Sequence, residues 1–194
     1  TNPDELFDFN YPDKANIRSY NPPVKPENHQ VSRAVDAILT AERPVIYAGG
    51  GTISSNAANE LRELNELIDF PVTNTLMGLG VYPGTGKRFL GMLGMHGTYQ
   101  ANMAMHNADL IIAVGARFDD RITNTPKKFA PKAKVIHFDV DHSSVSKIIE
   151  ADIAVFGQVK DSLQAINNHL RSRKDEINKE KLSPWHQQIS KWKE

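Results

Sequence analysis

The run Leu110–Val114 (LIIAV) is five apolar residues, ended by Gly115 and then a burst of charge at Arg117, Asp119, Asp120 and Arg121. Such a strand has no polar face to offer water, so it belongs inside a parallel sheet covered on both sides. Gly115 lets the backbone turn sharply at the strand's carboxyl end, where open α/β sheets bind their ligands. Two arginines at that corner can grip phosphate, and two aspartates can orient them or accept hydrogen bonds from a sugar.

The rest of the chain supplies the partners that such a strand needs. Val31, Ala34, Val35, Ile38 and Leu39 recur at helical spacing, predicting a helix over Gln30–Ala41. The strand PVIYA (44–48) follows and ends at Gly49, Gly50 and Gly51. Ser54 or Ser55 can cap a helix whose apolar face holds Leu61, Leu64, Leu67 and Ile68. Phe70–Thr75 reads as a strand, and a glycine-rich loop runs on to Gly97. Further on come a helix at Tyr99–His106, a strand at Lys134–Val140, a short helix at Val145–Ile149, a strand at Ile153–Phe156 and a closing helix at Val159–Leu170. Strands alternating with helices predict a doubly wound, Rossmann-like α/β sheet with helices on both faces and right-handed crossovers. The strand-end loops then share one edge.

The ends differ from this pattern. Residues 1–28 carry five of the eleven prolines and read as an extended linker, with Phe7, Phe9, Tyr11 and Tyr20 either lying along another surface or simply on a loose tail. Residues 29–172 form the expected domain, and residues 173–194 a second, partly helical linker containing Trp185 and Trp192.

Composition narrows the function. The 23 basic and 23 acidic residues cancel, so no net field draws the chain to nucleic acid or an anionic membrane. No apolar run approaches the roughly 20 residues of a membrane helix. The absence of cysteine excludes disulfides, thiolate catalysis and zinc–thiolate sites. The first residues are acidic and interrupted by proline, unlike a signal peptide.

Each glycine and charge motif has two readings. Gly49-Gly50-Gly51 can bring backbone close to a phosphate at a helix start, or can be a tight turn; it is neither a full G-x-G-x-x-G nor a P-loop. In Leu93-Gly94-Met95-His96-Gly97 the glycines let a flat ligand approach and Met95 offers it a soft surface, while His96 reads equally as an ordinary loop histidine. The Gly115–Arg121 segment is a ligand contact or a solvated charged loop. Asp139 fits the acidic residue that takes ribose hydroxyls, or a turn aspartate; His137 reads as packed in the core. Asp119 and Asp120 are neutralised by their arginines as a magnesium site, the other histidines lack metal-ligand spacing, and no G-x-S-x-G appears. The residues suit a nucleotide site and supply no catalytic group.

RPVIYAGGG, PVTNTLMGLG, GMLGMHGTYQAN, LIIAVGARFDDR and KVIHFDVD stand here in the order and spacing of the central domain of acetohydroxyacid (acetolactate) synthase large subunits, thiamine-diphosphate enzymes. The resemblance covers about residues 30–171. It implies a six-stranded parallel sheet of the DHS-like NAD/FAD-binding kind. It implies an enzyme that condenses pyruvate with pyruvate or 2-ketobutyrate in branched-chain amino-acid biosynthesis, and an FAD without redox work in that reaction. By motif match the FAD contacts fall on Gly49, Gly50 and Gly51, on Thr75, Leu76 and Met77, and on Leu93, Gly94, Met95 and His96. They continue through Gly115, Ala116, Arg117, Asp119 and Arg121 to Asp139 and Val140. Gln158 stands where many members carry an aspartate near the adenine.

The resemblance also implies thiamine diphosphate and Mg2+ held by an N-terminal and a C-terminal domain. The chain has no G-D-G motif, so it reads as the middle domain, inactive alone, with those two domains as its partners. A homodimer or tetramer with a regulatory small subunit is implied too, in the cytoplasm of a bacterium or in a eukaryotic plastid or mitochondrion. A NAD-dependent oxidoreductase domain would need a complete glycine fingerprint and a catalytic acid. A flavin-free structural module is opposed by Arg117, Asp119 and Arg121.

Overall fold

The computed structural model describes residues 25–194. Most of the arm 1–28, with its aromatic residues, therefore lies outside the described residues. Six strands form one sheet: β1 (Pro44–Ala48), β2 (Val72–Asn74), β3 (Phe89–Met92), β4 (Leu110–Val114), β5 (Lys134–Asp139) and β6 (Ile153–Phe156). All pairings are parallel and the order is β3-β2-β1-β4-β5-β6. The chain winds outward from β1 on one side and from β4 on the other, so the switch point lies between these two strands.

The central strands are buried on both faces, and alternation sorts their side chains into two cores. Ile46, Ile112, Val114, Ile136 and Phe138 meet helices α1 (Asn28–Thr40), α3 (Ala58–Ile68) and α6 (Val159–Ser172) through Val35, Ile38, Leu61, Leu64, Leu163 and Ile166. On the other face Val45, Tyr47, Ile111, Ala113 and Val135 meet helices α4 (Tyr99–Asn107) and α7 (Ser183–Lys193) through Ala101, Ala104, Met105, Trp185 and Ile189. Thr98 begins α4 by accepting the Ala101 N–H at 3.3 Å, an ordinary hydroxyl cap. Among the described residues, no helix is long and apolar enough to cross a membrane.

Four local expectations are corrected. Val145–Ile149 is a set of turns, not a helix. Asp141 takes the Ser143 and Ser144 donors, Ser146 accepts the Ala151 N–H, and Ser146 is left-handed at φ 58°, so side chains and backbone are committed to turn geometry. Ser54 and Ser55 close the short helix α2 (Gly50–Ser54) rather than opening α3, which starts after the left-handed Asn56. Phe89–Met92, expected inside the glycine-rich loop, is an edge strand with a register shift against β2 and a left-handed Gly91. The strand expected over Phe70–Thr75 is ordered as such only at Val72–Asn74.

The tail is packed. The crossover from β4 to β5 holds only the four-residue helix α5 (Asp120–Thr123) and a 3-10 turn at Pro126–Lys128, too little to cover its face of the sheet. Helix α7 fills that face instead: Trp185 is buried, its indole N–H donates to the Pro44 carbonyl at 3.0 Å, and Trp192 meets it edge-on. Trp185→Ala should therefore lower stability by about 3–5 kcal/mol in a denaturant titration. An unchanged midpoint would reduce α7 to an appendage.

Candidate functional site

The switch point is knitted together by backbone. The Gly49 N–H donates to the Val114 carbonyl and the Gly51 N–H to the Gly115 carbonyl, both at 2.9 Å, and the Thr52 hydroxyl donates to Val114 O at 2.8 Å. A Cβ on Gly49 would sit 2.2 Å from the Gly115 oxygen, and one on Gly51 would sit 2.8 Å from the Gly115 Cα. Gly115 itself is left-handed at φ 53°. Two of the three glycines of the turn are thus needed for contact between two pieces of protein. The third, Gly50, borders the space above the turn, where a Cβ would stand 3.0 Å from the Met77 Cβ.

That space is a cavity of about 880 Å³ at the carboxyl ends of the strands, within the size range that encloses whole small ligands. Gly50 and Gly51, Thr75, Leu76 and Met77, Leu93, Met95 and His96, Gly115, Ala116, Arg117, Asp119 and Arg121, and Asp139 all line it. These fourteen predicted positions come from five separate strand ends, so the sheet brings together what the sequence scatters over ninety residues.

Each loop is fixed by its own bonds. Thr75 accepts the Gly78 N–H at 2.9 Å, closing a 3-10 turn that presents Leu76 and Met77 to solvent. Asn102 clamps Gly94 by accepting its N–H and donating to its carbonyl, each at 3.0 Å. The Met95 N–H donates to the Arg121 carbonyl at 3.2 Å, tying the Met-His loop to the charged one. Met95 is left 63% exposed, a bare thioether at the cavity wall.

The charges are available. Arg117 and Asp119 approach only to 3.9 Å, with both side chains mostly exposed, so the pair holds neither group firmly. Asp120 instead accepts the Arg121 N–H at 2.9 Å and does not line the cavity. Beneath this loop Tyr47 is fully buried, with its hydroxyl 3.5 Å from the Arg117 carbonyl. Burial, helped by Asp119, pushes the Tyr47 pKa far above its usual value, so it stays a neutral donor. His137 is fully buried, as expected, against the edge of Phe118.

Four predicted positions stand outside the cavity lining: Gly49, Gly94, Val140 and Gln158. Gly49 is under the floor, and Gly94 is held by Asn102. Val140 follows Asp139, and Gln158 is exposed where α6 begins. The cavity also takes Ile53, Ser54, Met92, Ile122, Asp141 and Ser144, which sequence reasoning passed over. Ile53 and Ser54 lie one turn beyond the glycines, and Asp141 and Ser144 one turn beyond Asp139; adjacency to a strand end was the available signal. Among the described residues no group of three or more His, Asp or Glu side chains is placed to hold a metal ion.

A description of the thiamine pyrophosphate enzyme central domain matches residues 31–166. The acetolactate synthase large subunit of Buchnera aphidicola (subsp. Acyrthosiphon pisum) is 50% identical over 190 residues, which are 98% of this chain and 33% of that protein. The isozyme 3 large subunit of Escherichia coli is 42% identical over 192 residues, 99% of this chain and 33% of that protein. The large subunit of Mycobacterium tuberculosis is 45% identical over 152 residues, 78% of this chain and 25% of that protein. The chain spans about a third of the length of the first two relatives.

The glycine contacts make a contrast that melting can test. Gly49→Ala forces a methyl into the Gly115 carbonyl and should cost about 2–3 kcal/mol. Gly84→Ala, with nothing within 4 Å, should leave the thermal midpoint unchanged or slightly raised. Equal melting of the two variants would refute the close-contact role of Gly49.

Proposed function

The chain belongs to the thiamine pyrophosphate enzymes as their central domain, and from that premise we propose that it is the middle domain of an acetolactate synthase large subunit whose strand-end cavity binds FAD. The observation that carries this reading is the donor set of the cavity. Two loosely held guanidiniums at Arg117 and Arg121 suit a diphosphate, which takes bidentate hydrogen bonds from arginine. Asp139, at the end of the neighbouring strand, suits the adenosine ribose hydroxyls. Leu76, Met77, Leu93 and Met95 offer an apolar wall to a flat ring.

The residues of this chain bind and orient; none is placed as an acid, base or nucleophile of the condensation. His96 is exposed on its loop, and Tyr47 and His137 are buried away from solvent. The isolated domain is therefore inactive in this reading. These residues would hold FAD by its diphosphate, ribose and ring, and the flavin would take no redox part in the condensation. Carbanion chemistry is supplied by thiamine diphosphate with Mg2+, on the N- and C-terminal domains of the full-length protein. That protein joins pyruvate to pyruvate or 2-ketobutyrate on the route to branched-chain amino acids, works in the cytoplasm, and assembles as a homodimer or tetramer with a small regulatory subunit.

Flavin fluorescence decides the reading. FAD titrated into the full-length protein should be quenched at saturable stoichiometry. Arg117→Ala should weaken binding by about 1.5–3 kcal/mol through loss of a charge-assisted phosphate contact. No binding by the wild type would end the proposal, and unchanged affinity in the variant would remove Arg117 from the site.

A further inference from the structure

His137 is a buried polar side chain without a bonding role in the fold. It is 0% exposed, and neither ring nitrogen has a hydrogen-bond partner. A buried donor left so calls for a physical reason. The ring lies in a row across one face of the sheet, in register from Tyr47 through Ala113 to His137 and Ala154. Its flanking neighbours are alanines, which leave the imidazole room to tilt, while Phe118 bears on it edge-on at 5.5 Å.

Its nearest charged group is Asp139, two residues on along the same strand. The Nε2 atom stands 3.9 Å from Asp139 Oδ2, just beyond hydrogen-bond reach. The other carboxylate oxygen, Oδ1, already accepts the Asp141 N–H at 2.9 Å. The carboxylate is thus tethered at one oxygen and faces the His137 ring at the other. Burial lowers the His137 pKa against upward pulls from Asp139 and the Ala116 backbone, so the ring is a neutral imidazole with a single N–H to give.

We infer that His137 is a positioning residue for Asp139: its Nε2–H closes on Oδ2 when the cavity fills and holds the carboxylate in the orientation that accepts ribose hydroxyls. This rests on the FAD reading above. Long polar contacts in an empty site commonly tighten in the complex. The residue touches no ligand itself, since it does not line the cavity.

Two measurements test the pair in the full-length protein. In FAD titrations His137→Phe keeps the packing but removes the donor, and affinity should fall about tenfold, whereas His137→Gln keeps an N–H near the Nε2 position and should stay within about twofold. Adding His137→Phe to Asp139→Asn should bring no further loss, because the histidine acts through the carboxylate. Full affinity in His137→Phe, or equal weakness in His137→Gln, overturns the assignment. Ring 15N spectra of the flavin-free wild type need no bound ligand. They should show the Nε2–H tautomer, with a signal that moves on Asp139→Asn; an Nδ1–H tautomer, or indifference to that change, also overturns it. If the wild type binds no flavin, the FAD reading falls, and the ring spectra alone decide the His137–Asp139 pairing.

Discussion

Contact between two backbones at the switch point governs the rest of this molecule. Val114 and Gly115 receive the N–H groups of Gly49 and Gly51, and no side chain separates the two turns. This brings the outgoing ends of β1 and β4 close enough to share a floor. Because the chain winds away from that floor in both directions, the ends of β2, β3 and β5 open onto the same hollow. A methyl group at the junction would pry apart the two halves of the sheet, not merely one loop.

Above the floor, rigidity comes from small polar devices rather than from packing. Thr75, Asn102 and the Met95–Arg121 bond each hold one loop in place, and apolar side chains are left standing in solvent as a result. Exposed methionine and leucine make poor use of water, and the Arg117 guanidinium beside them is engaged only by a loose pairing. A ligand that is flat and apolar at one part and anionic at another suits both.

The sequence was most legible where burial is strongest. Leu110–Val114 and Pro44–Ala48 are continuous apolar runs because both of their faces are covered, and each was bounded to the residue. The strand-end rule then points to most of the loops that line the cavity. Legibility failed where local chemistry overrides pattern. Gly91 hides an edge strand whose side chains are only half covered, and Asp141 with its serines diverts a helical-looking stretch into turns. The stretch holding helix α7 reads as a charged, partly helical linker because its few apolar residues are spaced among lysines and glutamines; no local feature announces that the β4–β5 crossover is too thin to cover the sheet. Gly49 is ambiguous in a different way, since glycine required by a protein contact and glycine required by a ligand look alike in a sequence.

That thin crossover bears on the order in which the chain acquires structure. Val45 and Tyr47 share their core with Trp185 and Ile189, and the Pro44 carbonyl waits for an indole 141 positions away. Loop closure over such a separation is slow and comes late. As the chain emerges, one side of this sheet is therefore clad early, by α1 and α3, while the other stays partly bare until α7 follows, and the sheet's first strand is among the last of its strands to be fully sheltered.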